Sequence, residues 1–440
     1  MYSDCVVVGG GLTGLSTALH LMVYGLPVQL IEAQSELGGR IRNYRIDGFA
    51  CNQTFEPVFG GRPKARIIND SQYFPLADGL VVRGAEGPRF IDADPLPVVG
   101  IDSPQLASWM SAMRHPDLPW NQQVRLDRAA GPSRPPGDTR DDEFRARVVD
   151  GALASMLGSL DQSVSFNTVA DLALDWLAEK SLPWAGSGRP YLTLRTVLSS
   201  IPPTLGTTVL DIKETGPDEV CVHTSDADIW GRVVVVAAGH SEALRLRGQV
   251  PATPANPAAD SPHETALARP SPMLRHTIWL RATVCPTDSS ALHLGWAEPG
   301  RVANTAVVSN ISDGYAEQDH LIVATSFGHR AIEESTLYAD LSEIYRADAT
   351  DWDVVASFTE PEPATLEPVT PSETPGIIYA PYPIFNQQQA WDAGYQIAQQ
   401  LSRTMATTRL QRWSQRWSRR FARPKGHQRM PASVLHVLSY

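Results

Sequence analysis

The chain has 440 residues, 42% of them hydrophobic and 19% charged, with a formal net charge of −11. That length accommodates two domains with substantial cores, and the acidic balance argues against nucleic acid as a partner. No run of 18 apolar residues occurs and Asp4 interrupts the first apolar stretch, so neither a spanning helix nor a secretory leader is expected, and the expected location is cytoplasmic.

In chain order, the first element is an apolar strand, Val6 to Val8, running into a glycine turn. Gly9, Gly11 and Gly14 have G-x-G-x-x-G spacing, and a helix-period apolar pattern follows at Leu15, Ala18, Leu19 and Met22. A second strand, Val28 to Ile31, ends at Glu32, 23 residues after Gly9. Each part has a physical role at a dinucleotide site. Gly9 permits the tight turn, Gly11 lets the backbone approach a pyrophosphate, and Gly14 lets helix and strand pack closely. The first N–H groups of the helix, around Leu12 and Thr13, face the phosphates with the positive end of the helix dipole. The Glu32 carboxylate suits two ribose hydroxyls and disfavours a 2′-phosphate, which argues against NADP.

Residues 60–140 read as loop-rich, the later part as an exposed insertion, and 142–179 as helical. Residues 207–224 predict two alternating strands about a turn at Thr215–Asp218, followed by a buried strand from Val233 to Ala237. Strands are expected at 276–282, 304–309 and 320–327, a helix at 333–346, and a strand, turn and final helix over 376–401. The four cysteines (Cys5, Cys51, Cys221, Cys285) include no C-x-x-C pair, and the 11 histidines form no ligand-spaced cluster with them. A reducing compartment is expected, and no metal site. Residues 393–440 hold nine basic residues and no acidic one, leaving −20 on residues 1–392. Within 409–423 a helical projection puts Leu410, Trp413, Trp417 and Phe421 opposite Arg412, Arg416, Arg419 and Arg423. Such a helix can lie on an anionic membrane or pack on the acidic body of its own chain.

The string from Gly9 to Arg42, with Gly38-Gly39-Arg40 shortly after Glu32, resembles the flavin-containing amine oxidase superfamily. That superfamily includes protoporphyrinogen oxidases, phytoene desaturases and lankacidin-type oxidase–cyclases. The resemblance implies an α/β fold: a discontinuous, Rossmann-like FAD-binding domain (1–65, 190–245, 370–402) with an α+β substrate-binding domain (66–189, 246–369). A basic tail, 403–440, would follow. It implies non-covalent FAD, because no cysteine follows Cys285 for a C-terminal covalent link. Gly38, Gly39 and Arg40 would add backbone donors and a cation beside the pyrophosphate, and the backbone near Val209 would hold adenine. Residues 46–59 would pass under the isoalloxazine. The chain departs from the pattern at Asn52 and Thr54, where desaturase-like relatives have aspartate and glycine. It departs again at Ala380-Pro381-Tyr382, where a Gly-Asp pair would meet the ribityl chain.

The implied reaction is hydride transfer from a C–H bond beside the nitrogen of an amine or amide, with the resulting imine open to cyclisation in secondary-metabolite tailoring. The substrate would be a small molecule, apolar or moderately large, and a homodimer is compatible with the pattern. The alternatives are a carotenoid or polyene desaturase or isomerase, and a flavin-free binding protein that keeps the fold. Three catalytic candidates stand out. Glu56 follows Phe55 in the segment under the ring and is either a base of raised pKa, a partner for Arg62 or a solvated loop acid. Tyr191 either donates to a substrate carbonyl or fills space. Arg330 either anchors a substrate anion, pairs with Glu56, or is a surface cation.

Overall fold

The computed structural model describes residues 2–55, 58–59, 73–76, 79–84, 87–92, 154–155, 180–183, 203–248, 273–362, 376–381 and 387–421. Among these, β1 (Tyr2–Val8), α1 (Leu12–Val23) and β2 (Val28–Ile31) form the expected βαβ unit. A hairpin follows, β3 (Asn43–Ile46) and β4 (Phe49–Asn52), about the Asp47-Gly48 turn. Short strands β5 (Val58–Phe59) and β6 (Tyr73–Pro75), the pair β7 (Gly79–Gly84) and β8 (Gly87–Asp92), and β9 (Lys180–Pro183) come next. The reading of 60–140 as loop-rich is corrected over 73–92, and the expected exposed insertion in its later part lies outside the described residues. Leu80 and Val81 are buried and β7 pairs in parallel with a strand more than 200 residues away, a tertiary pairing that the local glycine content concealed.

An antiparallel arm, β10 (Val209–Gly216) and β11 (Glu219–Thr224), leads into β12 (Asp228–Val236) and the short helix α2 (His240–Leu246). The second half of the chain supplies β13 (Met273–Ala282), β14 (Leu292–Leu294), β15 (Val302–Val307), β16 (His320–Gly328), α3 (Glu334–Tyr345) and β17 (Asp353–Glu362). β18 (Ile377–Tyr379) and the long helix α4 (Gln387–Phe421) complete it. One sheet has six strands in the order β10-β11-β12-β1-β2, with β18 also on β12; β1, β2, β12 and β18 are mutually parallel where they pair. The other has seven, in the order β17-β13-β16-β15-β14-β7-β8. This is a mixed α/β architecture with a Rossmann-like sheet, as expected.

Helix α1 is buried on nearly every side, which explains its small residues. Gly394 of α4 lies so close that an added Cβ would meet the Thr13 carbonyl at 2.4 Å, and Ser16 donates to the Trp391 carbonyl at 2.7 Å. The helix α4 passes through residue 402 without a break. Met405 is 3% exposed and receives the Cys5 thiol at 3.8 Å, so the last helix belongs to the core beyond the expected boundary. In the seven-stranded sheet, β16 is buried along almost its whole length because it has strands on both sides and α3 packs over one face. The β3–β4 hairpin is anchored on the seven-stranded sheet and the loop beside it. Trp279 Nε1 donates to the Asn52 carbonyl (2.9 Å), Ala50 N to the Tyr315 carbonyl (2.8 Å), and Gln53 Nε2 to Glu360 (2.8 Å).

Candidate functional site

At the end of β1 the chain turns sharply. Gly9 has φ +102°, and a Cβ there would meet the Ala237 carbonyl oxygen at 2.7 Å. A Cβ on Gly14 would sit 1.9 Å from the Gly9 oxygen, whereas Gly11 has nothing within 4 Å of that position. The middle glycine therefore leaves room for a ligand, and the outer two permit close packing. Helix α1 starts directly afterwards, at Leu12 and Thr13, and no side chain among the described residues caps it. Its first N–H groups keep the polarity that favours an anion.

Glu32 is half-buried at the end of β2. Its carboxylate accepts from Gly10 N at 2.6 Å and from Gln34 N at 2.9 Å, so two main-chain donors fix it beside the turn. Each oxygen retains acceptor capacity for a hydroxyl. The Gly-Gly-Arg segment lies directly across the turn. Gly38 N donates to the Gly10 carbonyl at 2.8 Å, Gly11 and Gly38 form an isolated parallel bridge, and a Cβ on Gly39 would come within 3.2 Å of the Gly11 Cα. Gly38 is left-handed (φ +116°) and opens a short 3-10 turn, Gly39–Ile41, that contains Arg40. Thus Gly9, Gly11, Leu12, Thr13, Gly14, Glu32, Gly38, Gly39 and Arg40 converge on one place.

The departures have local explanations. Thr54, 3% exposed, donates to the Arg40 carbonyl at 2.9 Å, so it ties the hairpin to the Gly-Gly-Arg turn. Asn52 accepts from Asn43 Nδ2 at 2.6 Å and is hydrogen-bonded by Tyr315, whose phenol burial holds well above its ordinary range. Ala380 N donates to the Val236 carbonyl at 2.9 Å, continuing the ladder of β18 on β12 past Tyr379. Val209 lies buried at the start of β10, with its carbonyl accepting from Arg245 Nη2 at 2.6 Å; Arg245 Nη1 reaches the Leu210 carbonyl at 2.9 Å. Any adenine contact to that carbonyl would share it with a guanidinium.

Of the catalytic candidates, Glu56 and Tyr191 lie outside the described residues. Arg330 is 84% exposed and pairs with Glu333 at 3.1 Å, a surface ion pair three residues apart. A feature missed from the sequence sits in the seven-stranded sheet. Thr277, Thr325 and Asn304 are directly opposed across β13, β16 and β15, so they form one row on one face. All three are at most 4% exposed. Asn304 Nδ2 donates to Ser155 Oγ at 3.0 Å, while Asn304 Oδ1 and Thr325 Oγ1 have no hydrogen-bond partner among the described residues. Trp279, two residues from Thr277 and so on the same face, makes the contact to the β3–β4 hairpin. The signal was present as Thr, Ser and Asn inside otherwise apolar strands, but which face they share depends on a register that the sequence alone does not disclose.

Residues 7–66 match the family described as NAD(P)-binding Rossmann-like domain. Among curated relatives, coproporphyrinogen III oxidase of Propionibacterium freudenreichii is 40% identical over 80 residues, 18% of this chain and 15% of that protein. Carotenoid 3,4-desaturase of Haloarcula japonica is 48% identical over 46 residues, 10% of this chain and 9% of the relative. The chain therefore matches less than a fifth of the length of either. Among solved structures, an oxidoreductase from Methanosarcina mazei superposes with a TM-score of 0.66 at 15% identity, covering 91% of this chain and all of that one. Wild-type putrescine oxidase bound to putrescine gives 0.60 at 14% identity, covering 91% and 99%. At these identities the superpositions show the fold alone, and it is the one seen in putrescine oxidase, in line with the resemblance to flavin-containing amine oxidases.

The residues of the glycine turn fit the adenosine and pyrophosphate half of the FAD that this superfamily resemblance implies. Gly11 is open, the α1 terminus is uncapped, and Glu32 is pre-set by two backbone donors. No helix of the described residues is long and apolar enough to cross a membrane.

Proposed function

We propose that the chain is an FAD-dependent oxidoreductase that removes hydride from a C–H bond beside the nitrogen of an amine or amide. The observation that carries this reading is the Glu32 carboxylate, held at 2.6 Å from Gly10 N beside an open Gly11. Glu32 and the α1 N–H groups would hold the ribose and the pyrophosphate. Gly38, Gly39 and Arg40 would close the opposite wall. When bound, FAD supplies the hydride acceptor.

The chain's own residues would orient the substrate and exclude water. The buried Thr277–Thr325–Asn304 row offers hydroxyl donors and an amide acceptor in a dry setting, a pattern that suits a neutral polar group such as an amide. Glu56, next to the buried Phe55, is the proposed base for a proton leaving the substrate nitrogen, with Tyr191 as a donor to a carbonyl. The superposition on putrescine oxidase over 99% of that chain is compatible with the amine-type reading. That on a protoporphyrinogen oxidase from Exiguobacterium, at a TM-score of 0.62, is equally compatible with another flavin-type oxidation, so the amine substrate is the proposal's own choice. Trapping of the product imine by an internal carbon nucleophile, in secondary-metabolite tailoring, is part of the proposal.

The test is spectroscopic. Purified full-length protein is expected to carry oxidised flavin and to release it on heat denaturation. Anaerobic mixing with a panel of amines, amides and polyenes should bleach the flavin with a nitrogen compound. Bleaching by polyenes alone would assign the chain to the desaturases. Folded protein that is colourless and takes up no FAD on titration would overturn the flavin reading altogether.

A further inference from the structure

The sequence reading found no ligand-spaced cluster of cysteine and histidine, and the structure corrects it. Cys221 and His223 alternate on β11 and so share a face, and Asp228, the register partner of His223 on β12, joins them. Cys221 Sγ lies 3.9 Å from His223 Nδ1, and that nitrogen lies 2.8 Å from Asp228 Oδ1. One donor atom from each of the three falls within 4.8 Å of the others, and among the described residues no other group of three cysteine, histidine or acidic side chains does so.

We infer that Cys221, His223 and Asp228 form a binding site for a thiophilic divalent cation, zinc in the first instance. A tetrahedral zinc ion with bonds of about 2.3 Å to sulfur and about 2.0 Å to nitrogen and oxygen needs S···N near ~3.5 Å and N···O near ~3.3 Å. The S···N and N···O separations differ from these by roughly half an ångström, within reach of small side-chain rotations, and the thiol and carboxylate lie within 4.8 Å of one another. The donor set is a thiolate, a neutral imidazole and a carboxylate, which balances a 2+ charge and leaves one position for water or a fourth protein oxygen. On binding, the thiol proton passes to solvent. The proton that His223 Nδ1 donates to Asp228 in the free site is also lost to solvent while Nε2 takes one up, leaving the neutral imidazole with its proton on Nε2, so one proton leaves per cation.

The platform is already rigid. The connection between β11 and β12 is closed by Thr224 Oγ1, which donates to the Ala227 carbonyl at 2.6 Å and accepts from Ala227 N at 3.1 Å, setting Asp228 against His223. A fourth donor stands next to the three. Asp211 on β10 is the register partner of His223 on its other side, engaged with Lys213 at 2.9 Å, and Lys213 in turn is paired in register with Cys221. The groups facing the site are therefore Asp211, Lys213, Glu219 and Asp228, three carboxylates against one ammonium. A bound cation would join β11 to β12 in the arm that carries Val209, bracing the sheet that holds the nucleotide.

The experiment is a cobalt(II) titration of the full-length, chelator-treated protein, read as difference spectra against the cobalt-free sample so that any flavin absorption cancels. The expected result is a thiolate-to-cobalt charge-transfer band with the visible bands of a four-coordinate ion, saturating at one equivalent per chain and abolished by zinc. Cys221→Ser should lose the charge-transfer band. Asp228→Asn, a change at an exposed residue that leaves the fold intact, should weaken binding roughly 10- to 100-fold. Lys213→Met, which removes the ammonium and releases Asp211, should tighten it. Absence of the band from the folded native protein, or a band that survives both Cys221→Ser and Asp228→Asn, overturns the site. None of these outcomes depends on FAD.

Discussion

In the six-stranded sheet the groups that line the candidate nucleotide site are mostly main-chain atoms, and Glu32 itself is positioned by the N–H groups of Gly10 and Gln34. In the seven-stranded sheet the polar groups on the buried face are side chains, Thr277, Thr325 and Asn304, carried on strands that are otherwise apolar. The difference has a physical origin. A site made of backbone needs side chains removed, so it leaves glycines at fixed intervals. A site made of side chains needs strands aligned, so its parts are scattered through the sequence and meet only through register. The first kind of site tolerates little change in shape; the second tolerates exchange of its polar groups at modest cost to stability.

The sharpest way to break the first half of that contrast is Gly14→Val. The added Cβ would start 1.9 Å from the Gly9 oxygen, where a helix and a turn would both have to move. The expected loss exceeds about 3 kcal/mol, enough to remove most of the stability of an ordinary domain. Thermal unfolding should show no cooperative transition near that of the wild type; a variant with unchanged melting would mean that the turn has slack and that its glycines are incidental.

The second sheet has its own rigid point, away from the polar row. Asp340 of α3 is 2% exposed and accepts from Arg301 Nε (2.9 Å) and Nη2 (2.7 Å) and from Val302 N (2.9 Å), while Arg301 stacks 4.0 Å over Trp296. Asp340→Ala leaves that backbone donor and a half-exposed guanidinium without their acceptor. A loss of about 3 kcal/mol is expected from denaturant unfolding. His293 tests the same face by pH. Burial lowers its pKa to about 4, and the ring packs against Tyr345 at 4.7 Å. Because the folded pKa lies below the unfolded value near ~6.5, its contribution is complete above that pH and is lost as pH falls toward about 4, by up to about 3 kcal/mol. Replacing His293 with Leu should flatten stability over that window; an unchanged pH profile would show that other groups set the acid limb.

These contrasts also explain what could be read from the chain beforehand. The βαβ unit, the hairpin expected over 207–224 and the helix over Glu334–Tyr345 are local patterns that appear where the periodicity puts them, whereas the place of Gly38-Gly39-Arg40 came from the family resemblance. The strands β7 and β8 were hidden in a glycine-rich stretch because their reason to exist is β14, on the far side of the sequence. The Asp47-Gly48 turn was a short-range hairpin signal that went unused. Neither the Thr277–Thr325–Asn304 row nor the Cys221–His223–Asp228 cluster could be seen before strand register was known, since each draws on more than one strand.

Glu32→Gln measures how far the nucleotide site depends on one side chain within a backbone frame. The amide keeps the shape but turns a donor toward Gly10 N or Gln34 N, so the side chain loses its setting as well as its charge. The fold should survive, with FAD affinity lowered roughly 10- to 100-fold in a flavin fluorescence titration. Unaltered affinity would show that the main chain alone carries the ribose.

Thr325→Val has the smallest expected effect on stability. The Thr325 hydroxyl is buried, 3% exposed, and has no hydrogen-bond partner among the described residues, so folding desolvates it without return. Valine occupies the same shape without that cost, and the variant should match or exceed the wild-type melting point, gaining up to about 1 kcal/mol. If the row receives the polar group of a substrate, the same variant should slow flavin reduction by an amide while leaving FAD binding intact. Stability and turnover would then move in opposite directions, a signature that ordinary core packing does not produce. A variant destabilised by more than about 1 kcal/mol would mean that the hydroxyl is satisfied in the folded protein, and the row would then be part of the core.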